Sequence, residues 1–570
     1  SGETFAAVLD TCEKIARDKF ASINRLTDTE EPRFDGERVH LPAATKIATD
    51  AYVASGMLAA AQDYELGGMQ LPCVIEMAAN AFFSKANVAL GAYAMLTAGN
   101  ANLLMAHGTA KQREVFAAAE FEGRWFGTMC LSEPQAGSSL SDITTRAELE
   151  VADDPLGARF RLKGNKMWIS AGEHELSENI VHLVLAKIPS ADGKLTAGAR
   201  GISLFIVPKW LVDADGRLTG ERNDVRLAGL NHKLGFRGTS NCLLNFGEAG
   251  EGAVGYLVGQ PGEGLKCMFH MMNEARIGVG LGAAMLGYAG YEASLAYARQ
   301  RTQGRAVGPG GKDAAQPQRS IIEHADVKRM LLAQKSYVEG GLALALLCAR
   351  LVDELHSGEQ TSAQEAKLVL EVLIPIVKSW PSEWCLEANS LAIQVLGGYG
   401  YTRDFPVEQF WRDNRLNMIH EGTHGIHGLD LLGRKVVMNE GQALLALAAR
   451  INKTVAAALQ APALAESGQA LAAALARVVQ ATQDAWASGA QPEQALANAT
   501  PYLQAFGHMV LAWVWLDVAL KAGQGTSDFS RGKQAACRYF FAYELPKIGA
   551  WLGVVASREP LCREMRDEWF

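Results

Sequence analysis

Apolar residues recur every three or four positions from residue 5 to about residue 120, as at Val74, Met77, Ala78, Ala81 and Val88, and this spacing predicts a helical region. Gly67, Gly68 and Pro72 punctuate it as turns. Between about residues 123 and 259 the period shortens. Runs of β type at 180–185 and 202–207, separated by turn residues at 191–193 and 213–216, predict an antiparallel β domain. Helical spacing resumes near Leu265 and continues to about Lys435, interrupted by a polar Gly/Pro stretch over 304–317 that reads as a connecting loop. Beyond Asn439 an Ala/Leu-rich helical pattern ends in an aromatic portion around Trp513, Trp515, Tyr539, Phe540, Phe541 and Trp551. These rings are read as core of an appended helical domain. The expected architecture is mainly α with a central β domain, divided as 1–122, 123–260, 261–438 and 439–570.

Composition narrows the class. A chain of 570 residues, 49% hydrophobic and 20% charged, can bury several cores and is expected to be soluble. The net charge of −8 argues against nucleic acid as a partner, since a grip on phosphate backbones needs clustered Lys and Arg. Nine cysteines without a Cys-x-x-Cys pair indicate reduced thiols, not a zinc cluster or a disulfide framework. The uncharged stretch 277–291 is shorter than the about 20 residues a membrane span requires, and the N-terminus lacks a basic-then-apolar leader. No span and a cytoplasmic location are expected.

Four segments carry candidate chemistry. His420-Glu421-Gly422-Thr423-His424 formally satisfies the zinc-protease pattern, which needs one helix through both histidines. Gly and Thr are poor helix formers, so Glu421 reads better as a general base on a turn at a helix start, and no metal is expected. Gly278-Val279-Gly280-Leu281-Gly282-Ala283 follows a helical pattern, not a strand, and reads as small residues for close helix packing instead of a dinucleotide fingerprint. From Met129 through Leu131, Ser132, Glu133, Pro134, Gln135, Ala136 and Gly137 to Ser138 and Ser139, a β-type run enters a loop rich in hydroxyls and backbone donors. Lys166-Met167-Trp168-Ile169-Ser170 reads as a strand with an aromatic and a hydroxyl on one face.

In this order and spacing the segments resemble the acyl-CoA dehydrogenase family over residues 64 to 435. The loop is similar to the family's Thr-Glu-Pro-x-Ala-Gly-Ser-Asp signature, with Ser139 in place of its Asp. The strand is similar to its Lys-x-Trp-Ile-Thr element. Further likenesses are Lys233-Leu234-Gly235-Phe236-Arg237-Gly238-Thr239, the run from Gln394 to Tyr401 containing Gly397, Gly398 and Tyr399, and Ile419-His420-Glu421-Gly422-Thr423.

The resemblance implies bound FAD and the α,β-dehydrogenation of an acyl-CoA thioester to a trans-2-enoyl-CoA. Glu421 would take the α-proton and flavin N5 the β-hydride. It places Met129, Leu131, Ser132, Trp168 and Ser170 around the flavin ring, and assigns Thr423 to the cofactor as well. Arg301 and Gln303 would reach the pyrophosphate of a neighbouring subunit's FAD, and Gln394, Gly397 and Gly398 its adenosine end. Ser138, Asn273, Arg276 and Gly422 would meet the acyl-CoA. Electron-transfer flavoprotein is the implied acceptor, and a homo-oligomer, expected as a homodimer because of the C-terminal extension, the implied assembly. Some branches carry the base immediately before the arginine that Arg276 resembles. Here that slot is Ala275, and Glu274 is about 100° around the helix.

Two alternatives share this fold. One branch with a similar extension acts on 3-methylthiopropanoyl-CoA. An alkylation-response branch binds DNA through a basic C-terminal face, whereas Arg558, Glu559, Arg563, Glu564, Arg566, Asp567 and Glu568 alternate in sign.

Overall fold

A computed structural model describes residues 1–570, which divide into two compact units, Ser1–Ala275 and Arg276–Phe570.

The first unit begins with helices α1 (Gly2–Ile15), α2 (Ala43–Ala54) and α3 (Cys73–His107). Phe20, Tyr52 and Phe83 stack edge to face at their centre, with ring centroids 4.8–4.9 Å apart. The helix α3 breaks at Asn87, whose φ of −164° leaves the helical region while its amide donates to Phe20 O and Thr27 Oγ1. A small hairpin, β1 (Arg33–Phe34) with β2 (Val39–His40), stands where helical spacing was expected. It is too short to leave a periodic signal.

The β domain comprises β3 (Trp125–Cys130), β4 (Arg146–Val151), β5 (Arg159–Ser170), β6 (Asn179–Lys187), β7 (Ile202–Pro208), β8 (Trp210–Val212), β9 (Leu218–Arg222), β10 (Val225–Leu230), β11 (Asn241–Phe246) and β12 (Ala253–Val258). The main sheet runs β10-β11-β5-β12-β7-β6-β3, and β4 bridges β5 and β6, so that β5-β12-β7-β6-β4 closes into a small ring. The expected antiparallel order needs two corrections, because β4 meets β6 in parallel at Arg146↔Lys187 and β3 runs parallel to β6 from Trp125↔Asn179 to Cys130↔Val184. The long connection between them, carrying β4 and β5, supplies the crossover a parallel pair requires. Strands β6 and β7 are buried on both faces, one against α3 residues such as Tyr93 and Leu103 and the other against Phe160 and Phe246. That explains their unbroken apolar runs.

Helix α4 (Gly264–Gln300) contains the boundary between the units. The loop after it carries a second hairpin, β13 (Val307–Gly308) with β14 (Gly311–Lys312). The second unit continues with α5 (Ala325–Ser357), α6 (Gln360–Leu396), α7 (Val407–Arg415) and α8 (His424–Asp430). The C-terminal helices follow as α9 (Gln442–Leu459), α10 (Ala465–Ala485), α11 (Ala499–Ala522), α12 (Asp528–Tyr539) and α13 (Ile548–Ala556). Gly280 explains the small-residue run in α4, since a Cβ there would lie 1.8 Å from the Val377 carbonyl of α6. Pro381 has no N–H to occupy that carbonyl from within α6.

The appended helices pack through α9 and α11 on α6, and through α11 and α12 on α5. Trp515 donates its indole N–H to Ser336 O and Trp513 to Thr454 Oγ1, so both rings are core residues with satisfied donors. By length and composition α3 and α11, not the stretch at 277–291, are the helices apolar enough to cross a membrane, and 67% and 78% of their most apolar windows are buried in the fold. They serve as core helices.

Candidate active site

In the first unit a buried ion pair organises the candidate cofactor loop. Lys166, fully buried on β5, donates to Leu131 O at 2.9 Å and to Glu133 Oε1 at 3.0 Å. The Glu133 carboxylate also accepts from the backbone and hydroxyl of Thr144 and Thr145. Burial alone would raise its pKa, but the Lys166 charge and these donors outweigh it and hold the carboxyl at about 2. Met167 N donates to Ser132 O at 2.9 Å, completing the latch. Leu131 and Ser132 are thereby held alongside the end of β5, with Met129 buried behind them on β3.

The end of β5 departs from regular geometry. Two β5 residues face one on β11 between Lys166 and Ile169, a bulge, and Trp168 within it has φ +64°. Trp168 is 59% exposed. Two positions on, Ser170 Oγ accepts from Asn241 at 3.3 Å. An open aromatic face beside the hydroxyls of Ser132 and Ser170 is a donor set suited to a planar heteroaromatic ring with a polar edge. Ser138 lies exposed in the loop, and Asn273 is exposed on α4. Glu274 is engaged by Asn102 Nδ2 at 3.3 Å and faces His270 Nε2 at 3.5 Å.

In the second unit the chain leaves α7 through a 3-10 turn at Leu416–Met418 and reverses before α8, whose N-cap is Thr423. Glu421 adopts φ +58°, a left-handed conformation that costs a residue with a Cβ. Gly422 has φ +100°, and a Cβ there would lie 2.6 Å from His427 Nε2, so only glycine fits. Three donors hold this turn. Arg276 Nε (3.2 Å) and His427 Nε2 (3.0 Å) donate to the Glu421 carbonyl, and Lys378 Nζ donates to the Gly422 carbonyl at 2.5 Å. Burial, with the cations of Lys378 and Arg276, pushes His427 down to about 2, which keeps its imidazole neutral.

The Glu421 side chain itself makes no hydrogen bond. Burial raises its pKa above the ordinary carboxylate value, opposed by the positive charges of Arg276 and Lys378. His420, in the turn, pairs with Asn417 Oδ1 at 2.8 Å, whereas His424 begins α8. The two histidines therefore share no helical face, and the zinc-protease arrangement is not formed.

The remaining predicted residues lie on the surface of the second unit. Arg301 donates to Gln303 Oε1 at 2.8 Å, both exposed just beyond the end of α4. Gln394, Gly397 and Gly398 are exposed at the end of α6, where Gly397 caps the helix with φ +61°. Sequence reasoning did not single out Lys378 or His427, nor the latching role of Glu133 and Lys166. The available signal for Lys378 was a lone charge in the apolar run Ile374-Pro375-Ile376-Val377-Lys378-Ser379-Trp380.

The profile described as acyl-CoA dehydrogenase, C-terminal domain, matches residues 311–436, and the one described as acetyl-CoA dehydrogenase C-terminal like matches residues 447–566. The chain is 36% identical to 3-methylmercaptopropionyl-CoA dehydrogenase of Ruegeria pomeroyi, over 93% of this chain and 87% of that protein. It is 32% identical to the broad-specificity linear acyl-CoA dehydrogenase FadE5 of Mycobacterium tuberculosis, over 97% of this chain and 94% of that protein. Among solved structures, an acyl-CoA dehydrogenase from Bacillus anthracis complexed with FAD superposes with a TM-score of 0.77 at 19% identity, over 97% of this chain and 88% of that one.

Proposed function

Because the chain belongs to the acyl-CoA dehydrogenase family and is an oxidoreductase acting on acyl-CoA, we propose that it introduces a trans Cα–Cβ double bond into the acyl group with Glu421 as the base. The observation that carries this reading is a carboxyl without a hydrogen-bond partner on a backbone pinned at two successive carbonyls. Such a group is fixed in place yet free to accept a proton. Burial raises its pKa, which strengthens it as a base, and the cations of Arg276 and Lys378 oppose that rise.

FAD suits the residues of the first unit, with Met129, Leu131, Ser132, Trp168 and Ser170 assigned to hold it, and Thr423 is assigned to it as well. When bound it supplies the acceptor for the hydrogen that leaves Cβ as hydride. This chain's own groups do the rest. Glu421 Oε takes the α-proton, and the Glu421 backbone N–H is assigned as a donor to the thioester oxygen, where an oxyanion donor is typically worth about 2.7–4 kcal/mol. Ser138, Asn273, Arg276 and Gly422 are assigned to the acyl-CoA.

Arg301, Gln303, Gln394, Gly397 and Gly398 are assigned to the FAD of a second copy, which requires a homo-oligomer, proposed as a dimer. Their exposure supports that assignment. Electron-transfer flavoprotein is the proposed acceptor. The identity to the Ruegeria pomeroyi protein favours 3-methylthiopropanoyl-CoA as a substrate.

Anaerobic titration with butanoyl-, octanoyl-, palmitoyl- and 3-methylthiopropanoyl-CoA tests the proposal. Chain-dependent loss of flavin absorbance with enoyl-CoA formation is expected, and bound FAD that no thioester reduces would overturn it.

A further inference from the structure

Lys378 stands out among the charged groups that touch neither substrate nor cofactor in the reaction scheme. It lies on α6 with no exposed surface, between Val377 and Ser379 in a stretch buried from Val372 through Ser382. Its ammonium makes no ion pair within hydrogen-bonding distance, and the Gly422 carbonyl is its hydrogen-bond partner. A cation buried without a bonded carboxylate weakens a fold relative to an apolar side chain of similar length. Packing therefore gives no reason for a lysine here, whereas the base-bearing turn does.

Building on the assignment of Glu421 as base, we propose that Lys378 is a positioning residue for the reaction. It fixes the Gly422 carbonyl so that Glu421 keeps its left-handed backbone, and it sets the positive field in which the Glu421 carboxylate forms.

Three observations support this. Glu421 sits at φ +58°, a conformation that a residue with a Cβ keeps only when neighbouring groups over-determine it. The other two restraints, Arg276 and His427, both act on the Glu421 carbonyl, leaving Lys378 the single side chain holding the next one. The charged and titratable groups facing this turn are Arg276 from α4, Lys378 from α6, and His427 and His424 from α8, with Asp430 and Arg434 acting on Arg276. With His427 held neutral, Lys378 and Arg276 are the cations that oppose protonation of Glu421. Burial draws Lys378 itself down to about 7, so its charge changes near neutrality.

The test compares Lys378→Met and Lys378→Gln with the wild-type holoenzyme in anaerobic single-turnover reduction by an acyl-CoA between pH 6 and 9, with Glu421→Gln alongside. The expected result for Met is a rate reduced at least tenfold with acyl-CoA affinity and FAD content within about threefold of wild type. Its acidic limb should move to higher pH, because Glu421 loses a cation that favours its charged form. Gln, which can donate to Gly422 O but carries no charge, should recover part of the rate and keep the displaced limb. An unchanged limb in whichever variant folds, or a rate loss that only follows lost FAD, would overturn the proposal. If Glu421→Gln reduces flavin normally, the base assignment itself fails. If that variant is inactive while Lys378→Met is normal, only the role of Lys378 does.

Discussion

Each unit places a buried lysine near the glutamate of a functional loop, and the two arrangements differ in what the carboxyl is left to do. In the first, Lys166 and Glu133 bond directly at 3.0 Å, and the carboxyl is held at about 2. In the second, the lysine bonds a backbone carbonyl one residue beyond Glu421, and the carboxyl is left without a partner and raised. The same two residue types thus give a latch in one unit and, in the other, an unpartnered carboxyl that is the proposed proton acceptor. Whether the ammonium meets the carboxylate or the backbone beside it decides between them.

The largest effect should come from breaking the latch. Lys166→Ala leaves Glu133 buried and uncompensated, which costs about 3–5 kcal/mol. Thermal unfolding should shift down and FAD content fall together. Were Lys166→Ala to keep its stability and lose only turnover, the contrast between the two pairs would collapse.

Next comes Gly422→Ala, whose added methyl must displace His427 from the Glu421 carbonyl and strain a backbone at φ +100°. Strain of this kind costs about 1–3 kcal/mol. The single-turnover rate should fall about tenfold or more, with FAD content unchanged.

The pH dependence of stability sharpens the comparison further. Glu133 has a pKa of about 2 in the fold against an ordinary 4.5, so its contribution is fully present above about pH 4.5 and is lost as pH falls towards 2. Wild type and Glu133→Gln, followed by thermal unfolding from pH 7 to 3, should differ most at neutral pH and converge in that window. The smallest effect belongs to Trp168→Ala, which removes the open ring the latch presents. An aromatic contact is worth about 0.5–1.5 kcal/mol, so FAD dissociation should strengthen about two- to tenfold by fluorescence titration.

Much of the fold was legible because it is written in local periodicity. The helix-strand-helix succession, the small-residue contact at Gly280 and the turn at Glu421-Gly422 each follow from spacing or from residues that refuse a helix. What escaped depends on pairs distant in sequence. The parallel partner of β3 lies 54 residues on, at Trp125↔Asn179 and onwards, and nothing local distinguishes it from an antiparallel neighbour. Lys166 meets Glu133 across 33 residues and Lys378 meets Gly422 across 44, so their roles appear only once the strands and helices are docked. The bulge at Trp168 shifts the alternation by one, so that Trp168 is exposed and Ile169 buried, and it puts the backbone in a conformation that periodicity does not encode.

The most direct test of the central claim is the single-turnover reduction of Glu421→Gln at saturating acyl-CoA, with FAD and acyl-CoA binding measured on the same preparation. Loss of a general base typically costs about 10²–10⁴ in rate, so a fall of at least about a hundredfold with both ligands still bound is predicted. Reduction at a rate near wild type would contradict the assignment of Glu421 as the base.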